Sequence, residues 1–82
     1  MREVMVKVKF PEGLHARPAV QMIKTAGKYK ARVTIEKKGK TVPADSIMAV
    51  LGACIVCGDE ILIRAEGDEE DKAIEAMKLY FA

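Results

Sequence analysis

The chain has 82 residues, half of them apolar (50%), and a formal net charge of +2. That length holds one small domain, residues 1–82, with a packed core, and leaves no room for a second. The near-balance of charge gives no footing for direct nucleic-acid binding, no apolar run is long enough for membrane insertion, and Met1-Arg2-Glu3-Val4 lacks a signal peptide's charged-then-apolar design, so a cytoplasmic protein is expected.

Val4, Val6, Val8 and Phe10 alternate with Met5, Lys7 and Lys9, which predicts a half-buried first strand ended by Pro11-Glu12-Gly13. Ala19, Met22, Ile23 and Ala26 then recur at helical spacing. Pro18 suits the first turn of that helix, which the pattern starts at about Ala16 with His15 as N-cap. Val33 and Ile35 mark a second strand, and Lys38-Gly39 is a tight turn into a short third strand around Lys40 to Val42 that Pro43 places at an edge. Ser46 precedes the apolar run Ile47 to Ala53 and is predicted to cap a short helix. Ile61, Ile63 and Ala65 mark a fourth strand. Asp68 is predicted to cap a last helix with Glu69, Glu70 and Asp71 in its first turn and Ala73, Ile74, Met77 and Phe81 as its buried stripe. The order βαββαβα favours an α+β sandwich, with helices on one face of a mostly antiparallel sheet.

His15 is the only histidine and Ser46 the only serine. A lone histidine is usually structural, but His15 lies off the apolar stripe, at a helix start. The free N–H groups of Ala16 and Arg17 and the partial positive charge of a helix N-terminus favour an anion there. Arg17 adds a planar cation matched to phosphate oxygens, and Gly13 allows a sharp turn just before. A neutral imidazole is a competent nucleophile near neutral pH. The alternative is a capping histidine beside a solvated arginine.

Gly13-Leu14-His15-Ala16-Arg17-Pro18-Ala19 resembles the active-site signature of HPr, the histidine-containing phosphocarrier family of the bacterial sugar phosphotransferase system. The likeness extends over Lys28-Tyr29, Gly39-Lys40-Thr41-Val42, Ser46-Ile47-Met48, Gly58-Asp59-Glu60 and Ala65-Glu66-Gly67. It implies an open-faced β-sandwich, a four-stranded antiparallel sheet with three helices on one face. It implies a carrier and not an enzyme, with no cofactor or metal and a monomeric state. Enzyme I would phosphorylate Nδ1 of His15, Arg17 would hold the phosphate, Pro18 would fix the helix start, and the phosphoryl group would pass to sugar-specific IIA proteins or domains. Ser46 resembles the site at which an ATP-dependent HPr kinase/phosphorylase acts, recruiting a catabolite-control repressor. Regulation through Ser46 alone, without sugar transport, is the second reading. Ala16, Val20, Lys24, Ile47, Met48 and Leu51 are the candidate docking residues; at least one of Ile47 and Leu51 is expected in the core.

The chain departs from the family pattern at five positions. Glu12 puts a carboxylate near His15 and Asp45 puts one beside Ser46, where relatives often have a small polar residue and a lysine. Ala49 and Gly52 differ from the common glycine and serine or threonine. Cys54 replaces the glycine that usually ends the short helix, so either a cysteine takes a left-handed conformation or the helix ends nearer Gly52. Cys54-Ile55-Val56-Cys57 is a C-x-x-C string, but it follows a helix, whereas redox-active pairs open one. Buried or semi-exposed small hydrophobes are the bland reading of the two thiols, and a thiol redox protein is a third functional class.

Overall fold

In the computed structural model, which describes residues 1–15 and 17–82, the alternating segments become strands and the helical stripes become helices. The elements are β1 (Arg2–Lys7), α1 (Arg17–Ala26), β2 (Arg32–Lys37), β3 (Lys40–Pro43), α2 (Ile47–Gly52), β4 (Glu60–Glu66) and α3 (Glu70–Tyr80). The strands form one sheet in the order β1-β4-β2-β3, with every neighbouring pair antiparallel. Pro43 lies on the edge strand β3, where its missing N–H breaks no inner ladder.

Register sorts the two faces. Val4 pairs with Ile63, Ile63 with Ile35, and Ile35 with Val42, so one row of apolar side chains crosses the sheet. Side chains alternate along each strand, so Glu3, Arg64, Thr34 and Glu36 occupy the other face. There Arg64 bridges Glu3 and Glu36, the latter at 2.9 Å. The apolar face packs against the helices: α3 lies on β1 and β4, and α1 packs between α2 and α3. Met22, Ile35, Ile61, Ile63, Ile74, Met77 and Val50 are fully buried. Each such side chain contributes about 1.5–3 kcal/mol relative to exposure, enough to hold a sheet with one uncovered face. The result is the α+β open-faced sandwich expected from the element order.

The stripes fall where the periodicity put them. Ala19, Met22 and Ala26 of α1 are buried and Ile23 is half-buried; Ala73, Ile74, Met77 and Phe81 are all buried. Lys38 and Gly39 both take positive φ, 51° and 81°, the conformation of a tight hairpin turn.

Three boundaries differ from expectation. β1 ends at Lys7, although Val8 is still buried and still exchanges hydrogen bonds with the segment ahead of β4: its N–H donates to the Asp59 carbonyl and its carbonyl accepts from Gly58 N–H, both at 2.8 Å. α1 begins at Arg17, so His15 stands two residues before it and not at the residue next to it. Asp68 does not cap α3. The residue before α3 is Glu69, which makes no side-chain cap bond. Its carboxylate instead accepts from Lys30 N–H at 2.9 Å while its own N–H donates to the Lys30 carbonyl at 3.0 Å. Glu70 supplies the reciprocal contact of this helix start, accepting from Gly67 N–H at 3.2 Å.

Candidate functional site

The segment that presents His15 is tied down on both sides. Upstream, Gly13 N–H closes a turn on the Phe10 carbonyl at 2.9 Å, and Gly13 adopts φ +75°. A Cβ there would lie 2.3 Å from the Ile55 carbonyl oxygen and 2.7 Å from Val56 Cα, so only glycine lets the two backbones approach this closely. Leu14 is buried in the core, and its N–H donates to the Ile55 carbonyl at 2.9 Å. His15 N–H donates to the Gly13 carbonyl at 3.0 Å, and its side chain is exposed.

Downstream, the Tyr80 hydroxyl donates to the Pro18 carbonyl at 2.6 Å. Tyr80 belongs to an aromatic cluster in which the Phe10 ring lies 5.4 Å from that of Tyr80 and 5.9 Å from that of Phe81. Burial pushes the Tyr80 phenol above its ordinary range, which keeps it a neutral donor. Phe10 and Pro18 are thus joined through one cluster, with His15 on the chain between them. Its side chain is exposed while its backbone is held.

The electrostatics favour an anion. α1 carries no acidic residue in its first turn and begins with the exposed Arg17, a cation at the positive end of the helix. α3 shows the usual arrangement, Glu70 and Asp71 in the first turn. Placing Arg17 at an N-terminus disfavours the helix slightly, and an incoming dianion would reverse that penalty. Glu12 is exposed. Ala16 lies outside the described residues, as do its expected roles as backbone donor and docking residue.

Ser46 caps α2 as predicted. Its Oγ accepts from Ala49 N–H at 3.2 Å, and its carbonyl accepts from Val50 N–H at 3.0 Å. Among the expected docking residues, Val20 (42% exposed), Ile47 (37%) and Met48 (77%) are open to solvent on two helices that pack together, and Lys24 is exposed on α1. Leu51 is half-buried against the core, so it is the inward member of the Ile47–Leu51 pair.

Both alternatives for Cys54 occur together. α2 ends at Gly52 with Ala53 as cap, and Cys54 then adopts a left-handed φ of +53°. Its carbonyl accepts from Lys37 Nζ at 2.6 Å, and Lys37 also pairs with Asp59 at 2.7 Å. Asp59 in turn accepts from Val56 N–H at 2.9 Å. The Lys37 ammonium, and then the Val56 N–H, hold the Asp59 carboxyl below its usual range. Both thiols are free and exposed, where buried or semi-exposed ones were expected.

Three contributors escaped the sequence reading: the Ile55 carbonyl, the Tyr80 hydroxyl and the Lys37–Asp59 pair. Tyr80 beside a stripe residue was a weak signal; a backbone carbonyl from another segment leaves none. A groove lined by Ala26, Gly27, Arg32, Pro43 and Asp45 among others includes neither His15 nor Arg17. No described helix is long and apolar enough to cross a membrane.

An exposed imidazole on a backbone-anchored helix approach suits a group handed between proteins. Residues 2–82 match the family PTS-HPr, the PTS HPr component phosphorylation site. The chain belongs to the HPr family of phosphocarrier proteins, which carry a phosphoryl group and are not themselves enzymes. It is 39% identical over 79 residues to the phosphocarrier protein HPr of Buchnera aphidicola subsp. Acyrthosiphon pisum, covering 96% of this chain and 93% of that one. It is 40% identical over 77 residues to the HPr-like protein Crh of Halalkalibacterium halodurans, covering 94% and 92%. A crystal structure of HPr from Thermoanaerobacter tengcongensis superposes with TM-score 0.96 at 38% identity, covering 99% of this chain and 91% of that one. An HPr dimer from the same organism matches with TM-score 0.75 at 40% identity, covering 95% and 90%, so the family includes dimers as well as the expected monomer.

Proposed function

We propose that His15 accepts a phosphoryl group on Nδ1 from phospho-enzyme I and passes it to sugar-specific IIA proteins or domains. The observation that carries this reading is the only histidine of the chain, exposed and backbone-anchored, ahead of a helix whose first turn bears Arg17 and no carboxylate. The imidazole nitrogen attacks phosphorus in line, and the enzyme I nitrogen leaves. Arg17 and the helix start meet the charge on the equatorial oxygens, stabilising the phosphoryl group without enclosing it. An open site leaves the far side of phosphorus free for the next acceptor. Val20, Lys24, Ile47 and Met48 provide the docking surface, an apolar patch rimmed by charge.

The test is incubation with enzyme I and labelled phosphoenolpyruvate. An acid-labile label that disappears in His15→Ala is the expected result; an unlabelled wild-type protein rejects the carrier role.

A second reading rests on Ser46 and on the Crh relative, which is as similar as the HPr relative. In it, HPr kinase/phosphorylase phosphorylates Ser46, and the modified protein engages a catabolite-control repressor. A phosphate adds about −1.5 to −2 charge at the start of α2, which changes what docks more than how the chain folds. Kinase and ATP should yield acid-stable phosphate that Ser46→Ala abolishes; label that persists in Ser46→Ala eliminates this site.

A further inference from the structure

Cys54 is an uneconomical choice for its position. At φ +53° any residue with a Cβ is strained by about 1–2 kcal/mol, and glycine relieves this. The thiol is exposed, so no burial offsets the strain. Cys57, also exposed, stands three residues on, at the turn that Asp59 N–H closes on the Val56 carbonyl at 3.1 Å. The two residues between the thiols do something specific. Ile55 is buried, and its carbonyl holds Leu14 N–H; Val56 Cα abuts Gly13. The C-x-x-C segment is therefore the floor on which the His15 loop rests.

We infer that Cys54 and Cys57 form a reversible disulfide that switches the position of the His15 loop, an inference that rests on the carrier role of His15. A disulfide fixes the separation of its Cβ atoms to about 3.5–4.5 Å, so ring closure constrains the torsions of Ile55 and Val56. Those torsions aim the Ile55 carbonyl. Moving it loosens the Leu14 bond and shifts His15 away from the geometry needed for in-line transfer. Reduction restores the bond.

The chemistry needs only a low-molecular-weight disulfide, RSSR. One cysteine thiolate attacks it, forming a mixed disulfide and releasing one thiolate RS⁻. The second cysteine attacks the protein sulfur of that mixed disulfide, forming the Cys54–Cys57 bond and releasing the second RS⁻. The two protein thiol protons end on two RSH, and no other oxidant is consumed. The pair follows the C-terminus of α2 and does not open a helix, so it fits a switch and not a dithiol oxidoreductase.

The experiment treats the full chain with glutathione disulfide and follows free thiols, intact mass, the amide resonances of Leu14 and His15, and the rate of phosphorylation by enzyme I. The expected result is loss of both thiols in a monomer two hydrogens lighter, with shifted Leu14 and His15 resonances. Phosphorylation should slow by about tenfold or more, since a misplacement of about 1 Å can cost about a hundredfold. Dithiothreitol should reverse all of this, and Cys57→Ser should resist it. Failure to form an intramolecular disulfide, a disulfide between two chains instead, or an oxidised protein with unmoved Leu14 and His15 resonances overturns the switch. So does an unchanged transfer rate in a protein that the reduced form shows to be an acceptor. If the reduced protein accepts no phosphate, the His15 reading fails separately, and the resonances alone decide the switch.

Discussion

Gly13→Ala should separate close backbone approach from simple turn strain, with Gly39→Ala as its control. Both glycines have positive φ, +75° and +81°, but a Cβ at Gly39 meets nothing within 4 Å, whereas at Gly13 it meets the Ile55 carbonyl oxygen at 2.3 Å. Alanine in the left-handed region costs about 1–2 kcal/mol, partly offset by a stiffer unfolded chain, so Gly39→Ala should destabilise by about 1 kcal/mol. Gly13→Ala carries the same strain and must also push two backbones apart. That forfeits the Leu14–Ile55 hydrogen bond, about 0.5–1.5 kcal/mol, and adds an overpacking cost of about 1 kcal/mol or more. The total is about 3 kcal/mol. Thermal denaturation should show a drop of roughly 12–24 °C for Gly13→Ala against roughly 4–8 °C for Gly39→Ala. Urea titration at unchanged slope would confirm that stability alone has moved. Equal losses for the two variants would refute the claim that Gly13 is required by its contact with Ile55 and Val56.

Cys54→Gly should stabilise the fold by about 0.5–1 kcal/mol, since relief of left-handed strain exceeds glycine's entropy cost; a lower urea midpoint would contradict this. Tyr80→Phe should cost about 1 kcal/mol by leaving the Pro18 carbonyl without its donor, and hydrogen exchange in the first turn of α1 should quicken with it. Asp59 gives a pH signature. Its folded pKa is depressed, so its stabilisation is fully present above the unfolded value of about 3.8 and is lost as pH falls through the folded value. Stability should therefore decline in that acid window, and less steeply in Asp59→Asn, which should also be less stable near neutrality. Glu69 and Glu70, depressed chiefly by hydrogen bonds to Lys30 N–H and to the N-terminal ammonium, leave a residual slope. Identical acid profiles for wild type and Asp59→Asn would exclude Asp59 as a contributor.

Much of this molecule was legible in one dimension because the forces concerned are local. The alternation of Val4 and Val6, the stripe Ala73-Ile74-Met77-Phe81 and the Lys38-Gly39 turn each follow from period or backbone preference within a few residues. So does the Ser46 cap, whose oxygen reaches only three residues ahead. Asp68 does not cap α3 because the helix begins one residue later than expected, at Glu70, with Glu69 before it tied through both its N–H and its carboxylate to Lys30, distant in sequence. β4 enters the sheet between β1 and β2, a decision of long-range pairing that no local pattern records.

The same division runs through the candidate site. His15, Arg17, the Gly13 hinge and the absence of acid in the first turn of α1 are properties of residue type and neighbour order, so the sequence by itself determined them. Tertiary structure alone decided what holds them still: the Ile55 carbonyl beneath Leu14, the Tyr80 hydroxyl on the Pro18 carbonyl, and the Asp59–Lys37 pair that steadies the C-x-x-C segment. The reason is physical. Nucleophilicity and charge belong to single side chains, whereas rigidity comes from hydrogen bonds and packing between segments that meet only when the chain folds.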